Sequence, residues 1–392
     1  MPLAERLRIP AFVRSIFFWL QRLRNRIPVE TSFHVTPQMG GDYTRMATSN
    51  PNPAQSQSQS QSQSQSLMRR SLSALAQWFD TDYAEPGEQE ESEDFEWVRC
   101  LPFIFLHLAC FAVVWVGWSW FAVWTAIGLY LARMFAVTGF YHRYFSHRSF
   151  KTSRPAQFLF ALFGGTAVQR GALWWASHHR HHHRHSDKET DSHSPHRKGF
   201  WWAHLGWFAC AKNFRTDYKR IPDFAKYPEL VFLNRFDSLM PAVLAAFLFV
   251  AGLLLENFSP GLGTNGPQLL VWGFFISTVA LFHCTCSINS LAHVIGRKRF
   301  ATGDESRNSF LLALVTLGEG WHNNHHHYMN STRQGFYWWE IDVTYYILKV
   351  LERFGVIWQL RPVPATVYNK AAESLDRDRG GAVKTQPSPV SS

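Results

Sequence analysis

The sequence predicts an all-α fold: four transmembrane helices in two hairpins, topped by a cytoplasmic helical cap. Three observations point there. Apolar residues are gathered into four blocks of near-spanning length. Lys and Arg crowd the segments after the second and fourth blocks and are missing from the loop between the third and fourth. Histidine, a poor core filler, is concentrated in the segments that follow these blocks.

The chain has 392 residues, is 46% hydrophobic and carries a net charge of +10. Its mean hydropathy of -0.18 is an average over strongly segregated segments. The 17 Trp and 33 Phe suit a protein with membrane interfaces. The basic balance suits anionic lipids, an anionic substrate or an acidic partner. Nucleic acid is excluded as a partner, because no nucleic-acid module is visible and the basic residues flank apolar runs. The five cysteines form no disulfide framework, and Cys284 and Cys286 read as small core residues.

Residues 1–96 are expected to be an N-terminal extension, largely disordered. It starts with a basic amphipathic segment, RLRIPAFVRSIFFWLQRLRNR, suited to lying on a membrane surface. An alternating Gln/Ser tract fills 55–66, and an acidic stretch follows over 84–96. The membrane domain is expected over 97–362 and a flexible tail over 363–392.

The four blocks are Leu101–Trp118, Trp120–Thr138, Leu239–Leu255 and Leu269–Thr285. Each is near the ~20 residues a span needs. The short connections predict two hairpins. The loop Asn257–Pro267 has no Lys or Arg, whereas HRYFSHRSFK and GRKRF follow the second and fourth blocks. The positive-inside rule therefore places the histidine segments and both termini in the cytoplasm. Ala156–Val168 is too short to cross and is interrupted by Gly164 and Gly165, so it reads as interfacial or buried. Arg133 lies inside the second block, where a charge must face the bundle interior or the point where the helix leaves the bilayer.

The histidines form three clusters on one side of the membrane: HRYFSH (142–147), HRHHH (179–183) and HNNHH (322–326). NSLAH (289–293) lies at the cytoplasmic end of the fourth block. His179, His182 and His183 stand at i, i+3, i+4, so a helix puts them on one face. His322, His325 and His326 repeat the pattern, and Asn289 and His293 share a face at i, i+4. His142 and His147 are five apart, which on an α-helix points them apart, toward two different metal atoms. Nine histidines suit two metals, and nitrogen-rich sites take iron, copper, zinc or nickel. The two Glu-x-x-His motifs of the soluble carboxylate di-iron bundles are not present, the spacing occurring once, at Glu319-Gly-Trp-His322. An opportunistic low-complexity metal binder, or a transporter with a His-rich loop, would explain the second cluster but not all three.

These stretches resemble the membrane fatty-acid desaturases, in particular the stearoyl-CoA (acyl-CoA delta-9) branch in its bacterial type. That family carries H-x4-H, H-x2-HH and H-x2-HH boxes in this order, and GFWWAHLGW, KYPEL, NSLAH and GEGWHNNHH extend the likeness over roughly 97–362. The resemblance implies two irons, held by His142, His147, His179, His182, His183, His293, His322, His325 and His326, with Asn289 reaching the metal through water. It implies molecular oxygen as co-substrate and insertion of a cis double bond into a long-chain saturated acyl group. It requires no catalytic residue beyond the metal ligands. Glu319, in the matching GEG stretch, is the expected partner of a ligand imidazole. No haem-binding His-Pro-Gly-Gly is present, so electrons are expected from a separate ferredoxin, b-type cytochrome or reductase. A bacterial inner membrane is the expected location.

The chain departs from the animal acyl-CoA pattern at two places. Trp175-Ala176-Ser177-His178-His179-Arg180 stands where those members have W-A-R-D-H-R, and Ala211-Lys212 stands where they have two basic residues. Lys212, Arg197 and Lys198 are the candidate contacts to the CoA phosphates, with Arg180, Arg215, Lys219 and Arg220 as further cations, and an acyl-lipid carrier is the alternative. His193, His196 and His204 are expected to add to a basic face. His178, His181, His185 and His327 are expected beside the site or in solvent, and His34, His107 and His283 to be structural. A histidine-box alkane or lipid hydroxylase is the nearest other reading, and a non-enzymatic metal-handling membrane protein the most distant.

Overall fold

In the computed structural model, residues 71–83, 93, 95 and 97–368 are described. The basic N-terminal segment, His34, the Gln/Ser tract and the C-terminal tail beyond Tyr368 lie outside the described residues. Four helices are long and apolar enough to cross a membrane: Trp97–Val116, Trp120–Ser146, Leu239–Phe258 and Gly266–His293. The last three cover their expected blocks, and the first ends at Val116, two residues short of the block expected to end at Trp118. The second and fourth run well past the apolar stretch, and these extensions carry candidate ligands, His142 and His293.

Packing among the four is uneven. The fourth span is the hub, and the first, second and third spans all pack on it. The first and second spans thus share a partner more than they pair with each other. Buried Ala122 and Ala126 on the second span are small enough for close approach. The outward faces keep exposed Phe105, Trp115, Trp124, Phe247 and Val250, as expected where the solvent is lipid.

Arg133 faces the bundle interior and is fully buried. Its guanidinium donates to the Thr166 carbonyl (3.1 Å), the Thr278 hydroxyl (2.8 Å) and Ser277. It thereby ties the second span to the fourth and to the helix Arg154–Gly165. That helix has one buried face and is not broken by its glycines. Gly164 is there for proximity, since a Cβ would lie 2.1 Å from the Tyr141 ring.

The end of the second span is a π-helix, Ala136–Ser146. Its wider turn closes i→i+5 hydrogen bonds, and the His147 amide donates to the His142 carbonyl at 3.2 Å. The second histidine cluster lies on the α-helix Ala172–His185 and the third on the short helix His322–His327. A two-stranded antiparallel ribbon pairs Lys151 with Trp358 and Thr152 with Ile357, pinning the chain after the first cluster to the chain after the third.

Packing onto this body begins ahead of the boundary expected at Trp97. A helix over 71–77 is followed by a turn whose Thr81 amide donates to the Arg235 carbonyl (2.9 Å). It also runs past the expected end at Pro362, because Tyr368 donates its hydroxyl to the Phe336 carbonyl (2.9 Å). Neither contact is legible from composition, which assigns both stretches to polar tails.

Candidate metal centre

The sequence-predicted histidines converge in two groups. His142, His147, His179, His183 and His325 form the first, and His182, His293, His322 and His326 the second. Within each group the ligand atoms lie within 4.8 Å of one another. In the first group the same ring nitrogen, Nε2, points inward throughout. His142 is 3.0 Å from His325, His147 is 3.1 Å from His142 and 2.8 Å from His179, and His183 is 2.9 Å from His179 and 3.0 Å from His325. In the second, His293 Nε2 and His322 Nε2 are 3.1 Å apart.

The α-helix Ala172–His185 serves both groups from one face. His179 and His183, one turn apart, point into the first group, and His182 between them points into the second. The 322–326 segment splits likewise, with His325 in the first group and His322 and His326 in the second. The expectation that His142 and His147 serve two metals is corrected. Both belong to the first group, because the π-helix turn brings residues five apart onto one side.

Four imidazoles are held from behind by carboxylates. His142 Nδ1 lies 2.5 Å from Glu319, His182 Nδ1 3.0 Å from Asp191, His293 Nδ1 2.9 Å from Asp187 and His326 Nδ1 2.7 Å from Asp304. Each fixes the tautomer that leaves Nε2 a lone pair facing inward. Glu319 was expected from the sequence, but the three aspartates were not. Their only sequence signal is position: Asp187 and Asp191 directly follow the second cluster, and Asp304 lies in the connection to the third. Burial opposes ionisation of all four. The adjacent imidazoles, and for Glu319 also Arg143, outweigh it and hold these carboxyls below the usual range. Arg143 completes the support, bridging Glu319 (3.1 Å) and Asp342 (2.9 Å) in the interior.

Burial, reinforced by neighbouring imidazoles, pushes His147, His179, His183, His322 and His325 well below the ordinary histidine range. Burial also takes His326 down to about 4 despite Asp304. These rings are neutral at pH 7. A proton bridges only one pair of such nitrogens, so five converging Nε2 atoms cannot all be satisfied by N–H···N bonds, and a cation among them would use every lone pair. His326 Nε2 is moreover buried without a hydrogen-bond partner. The donor set therefore fits two metal ions, each ringed by imidazole.

The other named residues fall as follows. Asn289 lies one helical turn before His293 and lines a cavity that reaches the first group at His179. His193 is buried and stacks on His182 at 4.3 Å, so it belongs to the interior and not to a basic face. His204 is also internal, bonded to Ser290 (2.9 Å) and His283 (3.0 Å), and His196 reaches the His293 carbonyl (2.8 Å). His178 is buried between Trp174 and Trp207, and burial pushes it down to about 3. His107 and His283 contact each other at 3.0 Å. Lys198 and Lys212 both pair with Glu93, at 2.6 and 2.8 Å, while Arg197 donates to the Asp187 carbonyl (3.0 Å).

The cavity has a volume of about 500 Å³ and is overwhelmingly apolar, within the range of ligand pockets. Phe103 and Leu106 of the first span and Phe282 of the fourth line it, as do Trp175 and His179 of the helix Ala172–His185. Trp175 stacks on His179 with ring centroids 4.7 Å apart. An apolar chain in this cavity would run up to His179 of the first group.

Fold and site together define a helical protein with four candidate membrane spans and a paired, histidine-only metal-binding centre reached by an apolar cavity. The fatty acid desaturase family model matches residues 118–359, and the chain belongs to that family. It is an oxidoreductase of lipid metabolism. It is 37% identical over 266 residues to an sn-1 stearoyl-lipid 9-desaturase of Anabaena variabilis, covering 66% of this chain and 92% of that protein. It is 36% identical over 269 residues to an acyl-CoA 5-desaturase of Anemone leveillei, covering 68% and 79%. Against delta-9 acyl-lipid desaturase 1 of Arabidopsis thaliana it is 34% identical over 289 residues, covering 70% and 88%.

Proposed function

We propose that this chain is a di-iron, oxygen-dependent delta-9 acyl desaturase that inserts a cis double bond into a saturated chain. The carrying observation is the convergence of nine imidazoles on two points, with an apolar cavity reaching the first of them at His179. His142, His147, His179, His183 and His325 would hold one iron, and His182, His293, His322 and His326 the other, with Asn289 acting through water. When bound, the iron pair supplies the oxygen activation that breaks two unactivated C–H bonds.

The chain's own residues do the positioning. Glu319, Asp187, Asp191 and Asp304 keep four Nε2 lone pairs aimed inward. Trp175, Phe103 and Phe282 hold the acyl chain and exclude water. No side chain is needed as nucleophile or general base. The charge pattern supports a multi-pass arrangement with the histidines and both termini in the cytoplasm, and we place it in a bacterial inner membrane. Electrons would come from a separate acidic carrier drawn to the basic face, such as a ferredoxin or a b-type cytochrome, or from a reductase.

The alternative within the superfamily is hydroxylation. Iron-loaded protein, a reductant and a stearoyl substrate separate the two by mass spectrometry. An alkene two hydrogens lighter than the substrate is expected, and an alcohol one oxygen heavier would replace the proposal by the hydroxylase.

A further inference from the structure

A long apolar chain must enter the cavity from somewhere, and two sides of the cavity are built differently. The segment 71–83 lies across the ends from which the first and third spans start. On one side the Trp78 indole donates to the Val98 carbonyl (3.1 Å) and Arg99 donates to Gln77 (2.7 Å). On the other, Arg235 makes a two-pronged pair with Asp80 (2.7 and 2.6 Å), and Tyr218 donates to Asp82 (2.8 Å). Gln77, Trp78 and Thr81 also line the cavity. The segment is thus a strap over one mouth, anchored at both edges.

The side wall is different. The first and third spans pack on the fourth, with no substantial packing between themselves among the described residues. The cavity is lined there by Phe105 and Ala242, both exposed on the membrane-facing surface, and by Ala245. Small residues on one helix and an exposed phenyl ring on the other mark where a slot along the spans would open. The lysines suited to the phosphates of a soluble thioester, Lys198 and Lys212, share Glu93 instead.

We propose that the acyl chain enters sideways from the bilayer, between Phe105 and Ala242, and that the substrate is a glycerolipid-borne acyl chain, not acyl-CoA. This rests on the desaturase reading above. The strap shuts the route a large hydrophilic CoA group would need to leave open, whereas a lipid keeps its headgroup at the interface and threads only its tail.

The test is a competition in one vessel. Full-length, iron-loaded protein in nanodiscs receives a glycerolipid with a deuterated stearoyl chain and stearoyl-CoA with a carbon-13 chain, sharing one reductant. Mass spectrometry should find the double bond in the lipid-borne chain, at least about tenfold over the CoA-borne chain. Preference for the CoA-borne chain overturns the inference and leaves the desaturase standing. Alkene from neither, in protein holding two irons, sinks the desaturase reading and the inference with it. Two variants locate the slot. Ala242→Trp should lower lipid turnover by about tenfold or more. Val243→Trp, exposed on the same helix but outside the cavity lining, should stay within about twofold, both retaining their iron. Equal effects of the two would overturn the slot.

Discussion

The two histidine groups look alike in the sequence and differ in how they are built. The first has five imidazoles and a single carboxylate behind them, Glu319 on His142. The second has four imidazoles and three carboxylates, Asp187, Asp191 and Asp304. The first is organised by backbone: a π-helix sets His142 and His147 side by side, and one face of an α-helix adds His179 and His183. The second is organised by side-chain hydrogen bonds from connecting segments. A carboxylate behind an imidazole makes it a more basic ligand. The second position should therefore hold its metal with more charge compensation, and the first should depend more on rigid packing.

Removing a ligand tests this most strongly. His182→Ala should abolish turnover while the protein still inserts in the membrane, because its helix lies outside the spans. Iron content should fall toward one per chain. His179→Ala should likewise stop turnover but empty the other position. Normal turnover in either would remove that residue from the ligand set.

Next is Asp191→Asn, which takes the charge from behind His182 and from beside His193. Affinity at the second position should drop by about 10–100-fold, read by competition with a graded iron chelator. Glu319→Gln should act differently, leaving Asp342 as the one carboxylate on buried Arg143. Breaking a buried pair costs about 3–5 kcal/mol, so the expected signature is a lowered melting temperature more than a selective loss of metal. If both variants lose metal equally at unchanged stability, the two groups are built alike and the comparison fails. The smallest effect is expected for His196→Ala. It removes one hydrogen bond to the His293 backbone, a support worth about 1 kcal/mol, and should show as a melting shift of a few degrees at most.

Much of this was legible in the sequence because spans and histidine spacing obey simple periods. The apolar blocks announce four helices by length alone, and the i, i+3, i+4 pattern puts His179, His182 and His183 on one face. What escaped depends on departures from those periods or on distant partners. The π-helix over 136–146 has no signature that separates it from an α-helix, so His142 and His147 were expected to diverge. Asp187, Asp191 and Asp304 sit in polar connections where an aspartate ordinarily meets solvent, and only the fold brings them behind imidazoles. His193 and His204 belong to a basic stretch by composition but are buried by tertiary packing. The strap over 71–83 follows a low-complexity tract, and its role depends on Val98, twenty residues beyond Trp78, and on Arg235, far away in sequence.

Anomalous scattering at the iron edge from iron-loaded crystals tests the central claim most directly. Two peaks are expected, one inside the ring of His142, His147, His179, His183 and His325, the other among His182, His293, His322 and His326. A single peak, or iron bound away from these rings, would contradict the account.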